Sequence, residues 1–282
     1  GPPATLGGRV VSLGVIMMGL VTFATLAGTM AAYVAEGIRS EGTIVDWEDL
    51  HDHIIICGWN RKAELIVHEC KLAGRLETSP IVVIAEIDGQ PPFSDQSLRP
   101  FVQFLHDDFT KVEALEKAGA RRASRCIILS DMSKGRRERD ADARTILAAL
   151  TIEKLNREVY TCAEINRREY VSHLEMGNVN DYVVSGEHSA FLLAQAALSP
   201  GVMSVFTELL TYSLGNRFYR CKVSAKWKKK TFFDLMVHLK QKHDAILIAV
   251  EKEDGKVLLN PTAYAFEGTE DLVVIASHEV RV

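Results

Sequence analysis

Two hydrophobic patterns divide the chain. From residue 10 to residue 35 no position is charged, and apolar side chains follow one another without the polar stripe of an amphipathic surface helix. As a helix this run is roughly 39 Å long at ~1.5 Å per residue, against a hydrocarbon core of ~30 Å. It can cross a bilayer with some tilt, and it exceeds the apolar part of a secretory signal peptide. Beyond it, short apolar runs alternate with longer segments of helical periodicity. HIIICGWN, IVVIAE, FVQFL, RCIILS, VYTCAEI and DYVVS predict six strands. Helices are expected at residues 61–76, 111–118, 141–155 and 169–176. Strands alternating with helices specify an α/β fold on a doubly wound parallel sheet.

After residue 185 the pattern turns helical. HSAFLLAQAAL and GVMSVFTELLTYSL flank Ser199-Pro200-Gly201, so a helix, a turn and a second helix are expected. Residues from 216 onward form a smaller α/β unit. The expected organisation is a transmembrane helix at 1–39, a link at 40–52, a first lobe at 53–187, a helical crossover at 188–215 and a C-terminal lobe at 216–282. A Pro-rich polar loop at 88–100 and the mixed-charge run 134–144 interrupt the first lobe, the latter expected as a solvated face.

Composition refines this picture in three places. The net charge of -4 argues against a broad nucleic-acid surface. The five cysteines lack CxxC or zinc spacing, and Cys57, Cys126 and Cys162 lie in apolar runs, where a thiol acts as a small buried hydrophobe. The membrane run carries Gly14, Gly19 and Gly28 with Thr22, Thr25 and Thr29. Thr22, Thr29 and Tyr33 fall within roughly 40° on a helix, giving a mildly polar face. Those hydroxyls either face water or protein, or bond their own helix carbonyls.

The first strand-to-helix turn holds the candidate ligand chemistry. A dinucleotide-binding fold places glycines where backbone must approach phosphate. Here Gly58 keeps its place, with Asn60 and Ala63 at the following two glycine positions. The second strand ends at Glu86, where a carboxylate accepts hydrogen bonds from ribose hydroxyls, although farther along the chain than the usual ~20 residues. Arg61 and Lys62 open a helix whose positive end favours phosphate charge. Gly58, Trp59, Asn60, Arg61, Lys62, Glu86, Asp107 and Asp108 form the candidate nucleotide site. The other reading is a Rossmann-like scaffold with an empty cleft.

Several segments resemble the RCK (regulator of K+ conductance) and KTN families of potassium channels. Asp108, Thr110, Leu115, Ala118, Gly119 and Ala123 occupy positions of their Gly-Asp-x-Thr, Leu, Ala-Gly and Ala pattern, with Asp107 in place of the usual glycine. KKTFFDL, and then Pro261, Gly268, Asp271 and Leu272, match the small RCK C-terminal lobe. GPPATLGGR resembles the stretch that follows the filter in two-helix potassium channels; no GYGD filter occurs in the chain.

The resemblance implies a homotetrameric, ligand-gated K+ channel subunit in the cell membrane. Its RCK lobes would be cytoplasmic, paired through the crossover into a gating ring and regulated by NAD or an adenine nucleotide. It also implies a calcium site built from carboxylates of the first lobe and second crossover helix. Asp181 and Glu208 are the nearest positional matches, and each also reads as a surface carboxylate. Gly19 is the expected gating hinge.

Two other readings stand beside this one. The soluble lobes also suit the regulatory part of a potassium transporter or antiporter. A membrane-tethered NAD-dependent oxidoreductase shares the Rossmann pattern, yet only His106 offers itself for proton transfer, and no catalytic residue is expected.

Overall fold

The computed structural model of the chain describes residues 5–40, 50–76, 79–87, 93–212 and 215–281. The expected link at 40–52 and the loop at 88–100 lie partly outside the described residues.

Two compact units are present, 1–50 and 51–282. The first holds α1 (Leu6–Ser40), one helix whose apolar stretch Leu6–Ala31 is long enough to cross a membrane. The Thr22, Thr25 and Thr29 hydroxyls donate to the carbonyls of Met18, Thr22 and Leu26 at 2.7, 2.9 and 2.9 Å. Of the two readings of these hydroxyls, bonding within the helix is the one observed.

The second unit contains β1 (Ile54–Cys57), α2 (Arg61–Leu72), β2 (Ile81–Ile84), β3 (Val102–Leu105), α3 (Val112–Lys117), β4 (Arg125–Ile128), α4 (Glu138–Leu155), β5 (Tyr160–Ile165), α5 (Val171–Met176) and β6 (Asp181–Val184). The six strands form one parallel sheet in the order β3-β2-β1-β4-β5-β6. Central parallel strands are covered on both faces, so they read as continuous apolar runs. Ile54, Ile55, Ile56 and Cys57 are all buried accordingly, each isoleucine contributing about 2 kcal/mol of burial. The chain reverses its winding between β1 and β4, and ligand crevices in such sheets lie at the carboxyl ends of the strands flanking that reversal.

Then come α6 (Glu187–Leu198) and α7 (Val202–Leu210), neither of which buries a residue. The C-terminal lobe comprises β7 (Arg217–Lys222), α8 (Phe232–His243), β8 (Ile246–Glu251), β9 (Val257–Leu259) and β10 (Asp271–Ala276). Its antiparallel sheet has the order β7-β10-β8-β9. Phe232, Leu235 and Leu239 of α8 pack over Leu247, Val250, Leu272 and Val274. Thr231 and Asp234 cap α8 reciprocally.

The run 134–144 departs from expectation. Instead of a solvated face, its second half opens α4, and Arg136 and Arg144 have side chains only 16% and 17% exposed. Carboxylates at the strand ends draw them inward.

Candidate functional site

Gly58 leaves β1 at φ +92, a left-handed conformation that favours glycine, and an added Cβ would stand 3.4 Å from the Leu129 carbonyl oxygen. Asn60 then caps α2, its Oδ1 accepting from the amides of Lys62 and Ala63 at 2.8 and 3.3 Å. Those are the amides that a pyrophosphate would use at a dinucleotide-binding turn. Trp59 packs edge-on against Phe93 and Phe104, with centroids 5.0 and 4.9 Å away. Lys62 reaches the carboxylate of Glu164 at β5, while Arg61 is exposed.

Glu86 and Asp108 follow neighbouring strands, β2 and β3, and Arg144 of α4 joins them. Its guanidinium donates twice to Asp108, at 2.9 and 3.2 Å, and once to Glu86 at 3.3 Å. It lies 3.6 Å from Asp131 beyond β4 and 4.7 Å from the centre of the buried Phe109 ring. Arg136 pairs with Glu86 and, at 2.6 Å, with Asp131; Lys134 reaches Glu86 at 2.9 Å. Three carboxylates from three strand ends thus face three cations of one loop and helix.

The charges tune one another. Glu86 is held below the usual carboxylate range, chiefly by the Lys134 bond and then by Arg136. Burial pushes Asp108 upward, but the Thr110 amide and Arg144 outweigh it and the net direction is down. Asp107 points to Lys111 at 2.9 Å and is lowered mainly by that bond.

A second polar network braces the neighbouring strand ends. Fully buried Asp142 accepts from the amides of Asn166 and Arg167 at 2.8 and 3.1 Å, and the Asn166 side chain donates to Ser130 at 2.6 Å. These bonds fix the turns after β4 and β5 against α4.

Of the expected residues, Glu86 and Asp108 thus come together, joined by Arg144, Arg136, Lys134 and Asp131, which the sequence did not single out. One signal was available. Arg144 stands three residues after Ala141 and four before Ala148, both fully buried, so helical spacing already put a cation on the covered stripe of α4.

The two calcium candidates have separate partners. Asp181 opens β6 and accepts from the Tyr160 hydroxyl, whereas Glu208 on α7 accepts from Asn216 at 3.0 Å. Among the described residues, no group of three or more His, Cys, Asp or Glu side chains is arranged to hold a metal.

Residues 49–163, which include this cleft, match the family model of the calcium-activated potassium channel slowpoke-like RCK domain. That stretch is thus similar to the RCK domain of potassium channels. Residues 189–282 match the model described as Castor and Pollux, part of voltage-gated ion channel. The chain is 28% identical to the calcium-gated potassium channel TvoK of Thermoplasma volcanium, over 74% of this chain and 58% of that one. It is 25% identical to the putative potassium channel protein YugO of Bacillus subtilis, over 90% of this chain and 73% of that one. The alignment to TvoK thus covers little more than half of that relative's length. In fold, the human SLO3 gating ring superposes with a TM-score of 0.61, at 16% identity, over 80% of this chain and 44% of the other.

Proposed function

We propose that this chain supplies the inner helix and ligand-sensing module of a potassium-channel subunit. The observation that carries the sensing half is the convergence of Glu86 and Asp108 on Arg144 at the sheet's winding reversal. Carboxylates after β2 and β3 suit the hydroxyls of a ribose-bearing ligand, NAD or an adenine nucleotide. The donor set fits that end of the ligand. It fits a pyrophosphate on the α2 amides poorly, because Asn60 already occupies two of them. Lys134 and Arg136 are therefore the groups that meet phosphate charge, releasing Glu86 to the ribose as they do so.

This exchange of partners gives the module two arrangements. A ligand shifts their balance only by its difference in affinity for them, typically ~1–3 kcal/mol. In our reading the shift reaches α1 through residues 36–52, and α1 bends at Gly19 to admit K+. Four copies surround the pore within the lipid bilayer, with cytoplasmic RCK lobes paired through α6 and α7. The exposed apolar side chains of Phe191, Leu193, Leu198, Val205 and Leu210 support that pairing. Calcium is the second ligand we assign, supported by kinship to the calcium-gated TvoK, with Asp181 and Glu208 as carboxylate donors brought together on assembly.

Calorimetric titration of the chain with NAD, ADP and Ca2+ tests the sensing half. Binding of a nucleotide that weakens at least tenfold in both Glu86→Gln and Asp108→Asn supports it. Equal binding by those variants removes the cleft from the proposal.

A further inference from the structure

The loop between β7 and α8 gathers several exposed lysines in one short stretch. At the cleft, Lys134, Arg136 and Arg144 are all paired with carboxylates. In this loop Lys226, Lys228, Lys229 and Lys230 are exposed, and so is Lys242 near the end of α8; none of the five forms an ion pair among the described residues. Three of the acids close to them are engaged elsewhere, while Glu267 is exposed beside Phe266. Asp234 caps α8 with Thr231, Asp244 pairs with Lys240 at 2.5 Å, and Glu270 accepts from Tyr264 and from the amides of residues 267–269.

The loop is also a fixed platform. The Lys229 amide donates to the Phe266 carbonyl at 2.8 Å, the Phe266 amide to Lys230 at 3.0 Å and the Lys230 amide to Trp227 at 3.0 Å. Trp227, only 5% exposed, has the Lys230 ammonium 4.7 Å from its ring centre and the half-buried His238 ring 4.9 Å away. Its indole Nε1 is buried without an acceptor. Lys226, Lys230, Lys242 and His243 all act electrostatically on His238 and, with burial as the larger cause, hold its pKa below the ordinary range. Like charges gathered round one aromatic corner repel until an anion arrives.

We infer that Trp227, His238 and the lysines 226, 230 and 242 form a binding site for a multiply charged phosphate group. Lysine ammonium groups meet phosphate as compact point charges, and several must act together because each is solvated and screened by salt. A soluble polyphosphate and a phosphorylated lipid headgroup offer the same chemistry.

The site is tested with the full chain in phosphatidylcholine nanodiscs, by mapping lysine acetylation. One arm adds tripolyphosphate; the other replaces a few per cent of the lipid by phosphatidylinositol 4,5-bisphosphate. Protection of Lys226, Lys230 and Lys242 is expected in at least one arm, with Lys154 unchanged. Protection by tripolyphosphate identifies a soluble ligand, and protection by the lipid alone identifies the bilayer. In calorimetric titration the triple variant Lys226→Gln, Lys230→Gln, Lys242→Gln should bind the effective anion about a hundredfold more weakly, with an unaltered circular dichroism spectrum. Unchanged labelling in both arms, or undiminished affinity in the folded triple variant, overturns the inference.

Discussion

Arg144 and Asp108 form a two-point ion pair, 2.9 and 3.2 Å long, that ties α4 to the end of β3 while the same guanidinium touches Glu86. Removing the cation leaves Glu86, Asp108 and Asp131 with less compensation in a half-covered cleft. Arg144→Met should therefore lower stability by about 2 kcal/mol in urea unfolding. Arg144→Lys should recover only part of this, because an ammonium cannot reproduce the planar fork.

The pH dependence follows from the same charges. Glu86 and Asp108 are both depressed in the folded chain, so their contribution is present above the ordinary carboxylate range and is lost as pH falls through their lowered values. The stability gap between the unaltered chain and Glu86→Gln should be full near about pH 7 and close below about pH 4. Urea midpoints measured across that interval check it; a gap that widens in acid would have the wrong sign.

Pairing through α6 and α7 makes a separate prediction. Phe191 and Leu198 are 64% and 78% exposed on a helix that buries nothing within the chain. Phe191→Glu with Leu198→Glu should reduce the molar mass seen by light scattering in detergent without changing the circular dichroism spectrum. An unchanged mass would remove these helices from the assembly.

At Gly19 an added Cβ would meet nothing within 4 Å, so alanine fits α1 without a clash. Alanine also stabilises a helix interior by roughly 1 kcal/mol over glycine. Gly19→Ala should therefore shift open probability through stiffness alone. Single-channel recording of the full-length protein reads this directly, and identical gating would dismiss the hinge.

The two halves of the site differed in how far the sequence could disclose them. Ile54 to Cys57 announce a buried parallel strand because every side chain is apolar, and Glu86 and Asp108 stand at predictable strand ends. Lys134, Arg136 and Arg144 lie in a run of alternating charge that looks solvated on composition. Their inward turn depends on Glu86 and Asp108, 36 to 58 positions away, contacts that no local window contains; only the Arg136 bond to Asp131, five positions off, is local. Asn60 was legible as bulk at a glycine position, whereas its capping of α2 required the turn geometry.

The most direct measurement is potassium flux through the full-length protein in liposomes, with NAD, ADP and Ca2+ added one at a time to the face bearing the RCK module. The account predicts that a nucleotide changes the flux and that Glu86→Gln or Asp108→Asn abolishes the change while leaving basal flux intact. Flux indifferent to every ligand, or a nucleotide response unaltered by both substitutions, would contradict it.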